Sequence, residues 1–383
     1  MNPVRSLARD QVASLEDLGG ATSNGMKTFQ EAGDLNGRKV LLRTDFDVPV
    51  LNQEYGGQAY KIQEKFRIEK QKELIDHLLN QGAKVLMVAH ISSTPSFKNI
   101  LSGLEEILGH KIEFFGNIEN ANPEKLGLLE NIRSFPGEEL NDELLAKKLA
   151  SGRDLYINNA FAVCHRNHAS VSAITKLLPS FAGPIIEKEV CELQKVIDAP
   201  VEGKLIIMGG AKTSTKIPVI KNFMTKADVI LLGGVIANDA LVLRGYNVRS
   251  SVVDANFREL FEGIDINSEK IVMPEDFAVG EDKILDIGKQ TIGAYKDFIA
   301  KAKLIIWNGP LGQFEIPTFA IGTKAIAKAI VESVAYKIIG GGDTIAAVDQ
   351  AGLISSFDFV STGGGAMLDF LAGKEMPGLK ALE

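Results

Sequence analysis

The chain has 383 residues, a length that corresponds to two or three ordinary domains. Hydrophobic residues make up 45% and charged residues 24% of it, so the composition is that of a globular protein and excludes a disordered chain. The formal net charge is −7, from 42 Lys and Arg against 49 Asp and Glu, which argues against a nucleic-acid partner and leaves any anionic ligand to a local basic pocket.

The first 25 residues carry charges of both signs and no apolar core, which predicts neither a signal peptide nor a transit peptide. We interpret residues 1–25 as an N-terminal extension ahead of a fold that begins at Met26. No stretch of the chain reaches the roughly 18 uninterrupted apolar residues that span a bilayer, so we expect a cytoplasmic protein without a membrane partner. Cys164 and Cys191 are too few for a disulfide framework or a zinc cluster, and we expect reduced thiols.

Beyond Met26, short apolar runs alternate with stretches of helical spacing. The apolar runs predict strands at Lys39–Leu42, Lys84–Val88, Asp154–Ile157, Lys204–Met208, Val229–Leu232, Lys303–Trp307, Tyr336–Ile339 and Phe357–Val360. Between the first two, the apolar spacing from Ile68 to Leu79 predicts a helix that ends at Gly82. This alternation predicts an α/β fold of doubly wound, Rossmann-like parallel sheets, which bind ligands at the carboxyl ends of their strands.

A long helix is predicted after Pro184. Its apolar residues recur at intervals of four, three and four positions: Ile186, Val190, Leu193 and Ile197. Pro200 cannot continue a helix, so the helix ends before it. We interpret residues 185–200 as a hinge helix between two lobes, and the alternative is an ordinary packed helix of one large domain.

Glycine is enriched in residues 201–383, which hold 22 of the 37 glycines. Twelve of the 22 directly follow apolar runs: Gly209 and Gly210, Gly233 and Gly234, Gly309 and Gly312, Gly340 to Gly342, and Gly363 to Gly365. Because glycine has no Cβ, a phosphate chain can approach the backbone N–H groups, and the helix that follows adds unpaired donors. Five such turns at one sheet edge predict a nucleotide site, whereas a single doublet is no more than the tight turn of any parallel sheet.

The usual nucleotide-binding motifs are absent, since the chain has no Walker loop, no G-x-G-x-x-G and no protein-kinase set. A phosphoryl-transfer enzyme would therefore belong to another class. In such an enzyme Asp343, which directly follows three glycines, is a candidate Mg²⁺ ligand, because magnesium is usually held by one or two carboxylates plus substrate oxygens. The alternative for Asp343 is a solvated helix N-cap.

Two lysines follow one of the glycine doublets, in the segment GGAKTSTKIP. Lys212 and Lys216 lie at a predicted strand-to-helix turn, with Ser214 or Thr215 as the N-cap and Pro218 in the first helical turn. A cation at a helix N-terminus opposes the helix dipole unless an anion binds there. Two lysines at this place therefore indicate phosphate ligands.

The first half of the chain carries a different set of charged residues, several of them just beyond predicted strands. They are Asp45 and Asp47 in RTDFDVP, Arg67 in KFRIEK, His90 in MVAHIS, Arg133 in LENIRSF, and His165, Arg166 and His168 in CHRNHAS. Arg and His together predict a small ligand with phosphate and carboxylate groups, because the guanidinium fork binds either group. Taken singly, each Arg is more often a surface ion-pair partner.

The sequence from Met26 to Glu383 resembles the phosphoglycerate kinase family and is identified as a divergent member of it. The matching segments are VLLRTDFDVPV, LLENIRSFPGEE, NNAFAVCHRNHAS, LPSFAGPIIEKE, GGAKTSTKI, IIWNGPLGQFE, GTKAIAKAI, IIGGGDTIAAV and VSTGGGAMLDFLAGKEMPG. Their order and spacing are also those of the family.

The resemblance implies two lobes joined by a hinge helix. Residues 26–184 would form an N-terminal phosphoglycerate-binding lobe, 185–200 the hinge helix, 201–365 a C-terminal nucleotide-binding lobe, and 366–383 a segment returning to the N-terminal lobe. The reaction would be reversible phosphoryl transfer between ATP and the carboxylate of 3-phosphoglycerate, giving ADP and 1,3-bisphosphoglycerate and running in reverse in glycolysis. Mg²⁺ would accompany ATP or ADP, and the enzyme would be a monomer.

The resemblance also implies roles for individual residues. Phosphoglycerate would be bound by Asp45, Asp47, Arg67, His90, Arg133 and Arg166. Nucleotide would be bound by Gly210, Lys212, Lys216, Gly233, Gly234, Asn308, Gly309, Pro310, Glu315, Gly340, Gly341, Gly342, Asp343 and Thr344, with Asp343 on the metal. Catalysis would fall to Arg67, Lys212, Gly342 and Gly365, which would offset charge on the transferred phosphoryl group. An ionised carboxylate nucleophile needs no general base, so positioning and charge neutralisation carry the chemistry.

Several positions depart from the family pattern. Ser92, Ser93 and Thr94 replace Gly-Arg-Pro, Asp47 replaces an Asn, Asn159 an Asp, Thr215 an Asp, and Val235 a Gly. One substrate-binding Arg is thus missing. The first hypothesis is an active kinase with a raised KM for 3-phosphoglycerate. The alternatives are a catalytically impaired nucleotide-binding or regulatory protein on the same fold, and a kinase for another small carboxylate or phosphate.

Overall fold

The computed structural model describes residues 25–52 and 60–383, so the predicted extension lies outside the described residues except for Gly25. The described chain groups into two compact units. Unit 1 holds the described residues up to Ala160 together with Asn167–Lys188 and Gly378–Glu383, and unit 2 holds Phe161–Arg166 and Glu189–Pro377. No helix of the described segments is long and apolar enough to cross a bilayer.

Unit 1 is built on a six-stranded sheet in which every neighbouring pair is parallel. Its elements are β1 (Lys39–Arg43), β2 (Val50–Asn52), β3 (Tyr60–Ile62), α1 (Phe66–Asn80), β4 (Lys84–Val88), α2 (Leu101–Leu108), β5 (Glu113–Phe115), β6 (Leu126–Leu129), α3 (Glu143–Ala150), β7 (Leu155–Asn158) and β8 (Ser180–Ala182). The strand order is β5-β6-β4-β1-β7-β8, and β2 and β3 form a separate antiparallel pair. The first strand is thus central, with β4 on one side and β7 on the other.

Helix α1 shows how the sequence determines one of these elements. Ile68, Leu74, Ile75 and Leu78 are fully buried on one face. The helix stops where Gly82 adopts a left-handed φ of +81°, with the Ala83 N–H donating to the Leu78 carbonyl at 3.0 Å. A left-handed glycine followed by a hydrogen bond back to the last turn is a common helix C-terminus, and it confirms the predicted end of the helix.

Unit 2 repeats the architecture with a second six-stranded parallel sheet. Helix α4 (Pro184–Asp198) leads into it. The further elements of unit 2 are β9 (Lys204–Met208), α5 (Thr213–Phe223), β10 (Val229–Leu232), α6 (Gly234–Leu243), α7 (Phe257–Leu260), β11 (Ile271–Val272), β12 (Phe277–Gly280), β13 (Lys283–Ile287), α8 (Lys289–Lys301), β14 (Leu304–Asn308), α9 (Ile321–Glu332), β15 (Tyr336–Gly340), α10 (Gly342–Asp349), β16 (Phe359–Val360) and α11 (Gly365–Leu371). The last helix, α12 (Pro377–Lys380), belongs to unit 1 except for its first residue. The order β11-β10-β9-β14-β15-β16 is the 3-2-1-4-5-6 order of the Rossmann fold. Its core packs around the buried Trp307 and Tyr295.

The predicted fold class is confirmed, since both sheets are parallel and carry helices in the connections. Each of the eight predicted strands is present, with ends displaced by at most two residues. The predicted helix at 185–200 runs from Pro184 to Asp198, and the boundary between the units falls inside it, between Lys188 and Glu189.

Candidate functional site

The five glycine clusters of unit 2 follow five strands that are neighbours in the sheet: β10, β9, β14, β15 and β16. Because these strands are parallel, all five clusters lie at one edge, as predicted. Each cluster has one glycine with a φ between +49° and +93°: Gly210, Gly234, Gly309, Gly341 and Gly364. The edge is therefore made of backbone turns that other residues rarely adopt.

At the point where the strand order reverses, the glycines bring two strand ends into contact. A Cβ on Gly209 would overlap the Pro310 carbonyl, and one on Gly309 would overlap the Gly209 carbonyl. The Gly210 N–H donates to the Pro310 carbonyl at 2.7 Å, and the Gly309 N–H donates to the Thr344 hydroxyl at 2.7 Å. These amides are already bonded within the protein, so a nucleotide here would meet Cα surface rather than free donors.

Two helix starts without side-chain caps lie farther along the same edge, at α10 and α11. The N-cap residues Gly341 and Gly364 have no side chain to cap these helices. The first N–H groups of a helix have no acceptor within the helix. Above Gly342 the space is open, since a Cβ there would meet nothing within 4 Å. This end of the edge suits an anionic ligand.

The lysine segment begins its helix earlier than predicted. Lys212 occupies the N-cap position of α5, so the N-cap predicted at Ser214 or Thr215 is wrong, and the Thr215 hydroxyl instead donates to the Lys212 carbonyl at 2.9 Å. Pro218 consequently lies in the second turn rather than the first. Thr213 takes the first helical position, and its hydroxyl donates to the carboxylate of Asp239 on α6.

Lys216 is a buried ammonium that faces the glycine edge. Its Nζ lies 3.4 Å from the Lys212 carbonyl, and only 6% of the residue is exposed. Burial lowers the pKa of Lys216 to about 8, with Lys212 adding to the effect and Asp343 opposing it. Two cations therefore lie in the first turn of one helix, where they oppose the helix dipole unless an anion is bound.

A cavity of about 340 Å³ opens at this edge, next to Gly210 and Ala211. Predicted residues on its wall are Gly210, Gly234, Pro310, Glu315 and Asp343. Other lining residues were not predicted and include Asn238, Val252, Phe277, Ile284 and Leu285. They belong to the second turn of α6, the β12-β13 hairpin and the segment between α6 and α7, and no glycine cluster directly precedes any of them in the sequence. Apolar walls with a few polar groups suit a flat heteroaromatic ring.

Asp286 also lines this cavity and holds two neighbouring segments in place. Its carboxylate accepts the Gly322 N–H at 2.7 Å and the Ile287 N–H at 2.9 Å, and a Cβ on Gly312 would overlap it. Burial raises the pKa of Asp286 to about 6, although those backbone bonds oppose the shift. The carboxylate thus fixes the first turn of α9 against the loop that carries Gly312.

In unit 1 the predicted charged residues come together at the carboxyl end of β1. The Arg67 guanidinium donates from Nη1 to the Asp47 carbonyl at 3.1 Å and lies 3.7 Å from the Asp45 carboxylate. Asp45 in turn accepts the Asp47 N–H at 3.2 Å. Arg67, the second residue of α1, is thereby aimed at the turn after β1.

His90 follows β4 and is buried between two charged groups. Its Nδ1 lies 3.4 Å from Nη2 of Arg43, and its Nε2 lies 3.2 Å from the Asp47 carboxylate. A guanidinium can only donate, so Nδ1 accepts and Nε2 carries the proton that is donated to Asp47. Burial lowers the pKa of His90, with Arg43 adding to the effect and the bond to Asp47 opposing it, which favours the neutral ring that these two contacts require.

Asp47 keeps its negative charge in this arrangement. Burial raises the pKa of its carboxyl group, but the bonds from His90 and from the Ser92 N–H, at 2.7 Å, outweigh burial and hold it below the ordinary value. The Ser93 hydroxyl donates to the Val48 carbonyl at 2.6 Å. The loop that lacks the family's Arg is therefore bonded to the turn after β1.

Arg43 was not among the predicted site residues. It ends β1 with 1% of its surface exposed, and its Nε donates to the Ser170 hydroxyl at 3.1 Å. The Ser170 hydroxyl in turn donates to the Glu138 carboxylate at 2.6 Å. Burial raises the pKa of Glu138, although Arg43 and the bonds from Ser170 oppose the shift. The signal in the sequence is the cation that directly follows the apolar run VLL.

The Asn at position 159 has a specific partner. Its Oδ1 accepts the Ile185 N–H at 3.0 Å, which caps α4, and its Nδ2 donates to Oε1 of Gln71 at 3.0 Å. Both side chains are buried. Gln71 lies one turn after Arg67 on α1, so the amide pair ties this helix to the start of α4.

The two remaining predicted substrate ligands are placed differently. Arg133 follows β6 in unit 1 and lies 3.5 Å from the exposed Glu139 carboxylate. Arg166 is half-buried and belongs to the Phe161–Arg166 segment of unit 2, where its N–H donates to the Val163 carbonyl at 2.9 Å. Unit 1 by itself therefore brings together Asp45, Asp47, Arg67 and His90, without Arg166.

Comparisons with known proteins show which family the chain resembles. Residues 30–374 match the family model described as phosphoglycerate kinase. A phosphoglycerate kinase of Dictyoglomus turgidum is 38% identical over 389 residues, which span 91% of this chain and 96% of that protein. Solved phosphoglycerate kinases from Pyrococcus horikoshii OT3 and Coxiella burnetii match with TM-scores of 0.82 and 0.78 at 29% and 30% identity, each over 93% of this chain and 98% of the other.

Proposed function

Because the chain belongs to the phosphoglycerate kinase family, we propose that unit 2 binds the nucleotide and unit 1 binds 3-phosphoglycerate. The enzyme transfers a phosphoryl group reversibly between ATP and the carboxylate of 3-phosphoglycerate. The single observation that carries the assignment of the units is the glycine edge of unit 2, where five adjacent strands end beside two lysines and a largely apolar cavity.

The nucleotide base would occupy the cavity, with Glu315 at its rim on the ribose. The phosphates would lie along the edge toward Lys212, Lys216 and the first turn of α10. The desolvated Lys216 supports this placement, because an ammonium whose pKa is lowered by burial gains most from a bound anion. Gly340, Gly341 and Thr344 would shape the turn around the phosphates, and the buried Asn308, whose Nδ2 has no partner in the described chain, faces the same turn.

The residues fit a magnesium ion that is carried by the nucleotide. Asp343 is exposed in the first turn of α10 and offers one carboxylate next to the predicted phosphates. The described residues contain no cluster of three or more His, Cys, Asp or Glu that could hold a metal alone. Mg²⁺ usually binds through one or two carboxylates and substrate oxygens, and it would neutralise phosphate charge there.

3-Phosphoglycerate would bind at the turn after β1, with Arg67 and His90 facing it and with Arg133 and Arg166 as further cations. Asp45 and the Asp47 carbonyl hold the Arg67 guanidinium in place, so that it would offset charge on the phosphoryl group in flight. The nucleophilic carboxylate is ionised at neutral pH, so no side chain has to remove a proton. Lys212 and the N–H groups of Gly342 and Gly365 would stabilise the same charge from the nucleotide side.

We also propose the remaining features of the enzyme. The domain boundaries are 26–184, 185–200, 201–365 and 366–383, and the grouping of Gly378–Glu383 with unit 1 supports the return of the C-terminal segment. The net charge of −7 supports small anionic substrates rather than nucleic acid. The proposed enzyme is a cytoplasmic monomer.

Calorimetric titration tests the site assignment. We expect Mg·ADP and 3-phosphoglycerate each to bind to the free enzyme, and Asp343→Asn to weaken Mg·ADP binding while leaving 3-phosphoglycerate binding unchanged. Asp349→Asn, at the other end of α10, is the matched control and should change neither. Heat from nucleotide but none from 3-phosphoglycerate would contradict the substrate site.

A further inference from the structure

A buried carboxylate on α6 lies behind the nucleotide edge and has no role in the reaction described above. Asp239 is 0% exposed. Each of its oxygens receives one hydrogen bond, Oδ2 from the Thr213 hydroxyl at 2.5 Å and Oδ1 from the Asp254 N–H at 2.8 Å. The two donors come from segments that are separated along the chain, so one carboxylate connects three parts of unit 2.

The first of these bonds fixes the start of α5. Thr213 is itself 0% exposed and directly follows Lys212, which is the N-cap of this helix. Lys216 lies one turn further on. No side chain caps α5, so the Thr213 hydroxyl is the side-chain anchor of its first residue. A shift of this residue would move both lysines, because consecutive Cα atoms are only about 3.8 Å apart.

The second bond fixes a wall of the cavity. Val252 lines the cavity, and the Asp254 N–H two residues later donates to Asp239. The neighbouring side chain on α6 holds the same segment, since Asn238 donates from Nδ2 to the Val252 carbonyl at 3.0 Å. The adjacent residues Asn238 and Asp239 thus hold the wall from two points.

We propose that Asp239 is a positioning residue of the nucleotide site, which sets the lysine-bearing turn of α5 and the Val252–Asp254 wall at a fixed separation. A buried carboxyl oxygen that loses its only donor is left without a hydrogen-bond partner and keeps its desolvation cost, so each contact restrains its element. The inference rests on the proposed nucleotide site and adds to it a residue that need not touch the nucleotide.

The isosteric variant Thr213→Val tests the proposal, because it removes the hydroxyl without leaving a cavity. We expect the KM for Mg·ATP to rise about 5- to 20-fold, which is below the roughly 10- to 100-fold scale of one lost hydrogen bond to a charged group because the lysines are displaced rather than removed, while the KM for 3-phosphoglycerate stays within about two-fold. Thr213→Ser keeps a hydroxyl and should restore the KM for Mg·ATP. Asp239→Asn keeps the shape of the side chain but only one acceptor oxygen. It should raise the KM for Mg·ATP selectively but by a smaller factor, and it replaces Thr213→Val as the test if that variant does not fold.

A matched packing variant separates positioning from stability. Ile217→Val lies one turn along the same helix and is buried, so it should lower the melting temperature without changing either KM. The proposal is overturned if Thr213→Val lowers the melting temperature but leaves the KM for Mg·ATP within about two-fold, or if Thr213→Ser is as impaired as Thr213→Val. Lys216→Ala is the reference variant. If Lys216→Ala raises the KM for Mg·ATP and Thr213→Val does not, only the inference about Asp239 fails. If neither variant raises this KM, the proposed nucleotide site fails as well.

Discussion

The two units place their sites at the same position in the same kind of sheet but build them from different parts of the chain. In unit 1 the turn after β1 is surrounded by polar side chains that contact one another. Arg67 lies on the Asp47 carbonyl and beside the Asp45 carboxylate, and His90 lies between Arg43 and the Asp47 carboxylate. In unit 2 the edge is made of glycine turns and helix starts without side-chain caps, and few charged side chains take part.

Under the proposed assignment of ligands to the two units, this difference would reflect how each ligand is recognised. A phosphate chain can be bound by backbone N–H groups, which need close approach and therefore glycine. A small molecule with a phosphate and a carboxylate needs cations aimed from several directions, and those cations need buried partners that fix them. We therefore expect unit 1 to be sensitive to changes in side-chain charge and unit 2 to be sensitive to added Cβ atoms and to the two lysines.

The largest effect is expected for Arg67→Ala. Removing a donor that stabilises the transferred group typically costs about 10²- to 10³-fold in kcat. Because Arg67 belongs to unit 1, the dissociation constant for Mg·ADP should not change. Steady-state kinetics and calorimetry measure the two quantities, and Arg67→Lys, which keeps the charge but not the fork, should be intermediate. Loss of nucleotide affinity instead would show that the units are assigned in reverse.

Lys216→Ala should produce the converse pattern. Loss of a charge-assisted contact of about 1.5–3 kcal/mol corresponds to roughly 10- to 100-fold weaker nucleotide binding. The affinity for 3-phosphoglycerate should be unchanged in a calorimetric titration. Lys221→Ala, near the end of the same helix, is the control and should behave as the wild type. An equal loss for both ligands would remove the distinction between the units.

Two glycine substitutions separate the packing role of the edge from its binding role. Gly209→Ala places a Cβ against the Pro310 carbonyl and should destabilise the protein by about 1–3 kcal/mol in a urea titration. Gly342→Ala meets open space, so stability should be retained while Mg·ADP binds more weakly. If Gly342→Ala binds nucleotide as the wild type does, the start of α10 is not a phosphate site.

The smallest effect is a dependence of nucleotide binding on pH. The pKa of Lys216 is lowered to about 8, so its side chain is positively charged below that pH and loses this charge as the pH rises above it. A bound anion favours the charged form, and the affinity for Mg·ADP should therefore fall about ten-fold between pH 7 and pH 9. Lys216→Arg stays charged over this range and should show a flat profile. A flat profile for the wild type would contradict a role for Lys216 in phosphate binding.

The sequence predicted those parts of the molecule that are determined locally. Apolar runs marked each of the eight predicted strands, and glycines after them marked the edge of unit 2, because both patterns reside in consecutive residues. The partners that fix the sites were not predicted. Arg43 bonds to Ser170, 127 positions away, and Asp239 bonds to Thr213, 26 positions away. The N-cap of α5 was misplaced for the same reason, since the helix starts where Asp239 holds Thr213.

The departures from the family pattern also become interpretable only in three dimensions. Asn159 is satisfied by Gln71 and by the start of α4, and the charge of Asp47 is held by His90 and Ser92. Both substituted side chains therefore have hydrogen-bond partners at the site. They favour an active enzyme over an impaired one.

Phosphoryl transfer itself tests this account most directly. The purified enzyme is incubated with Mg·ATP and 3-phosphoglycerate, and formation of 1,3-bisphosphoglycerate is followed by a coupled assay, with Arg67→Ala as the control that retains nucleotide binding. We predict rapid formation by the wild type, with a raised KM for 3-phosphoglycerate and at least about 10²-fold slower turnover by the variant. A wild-type protein that binds Mg·ATP but forms no 1,3-bisphosphoglycerate would contradict the account.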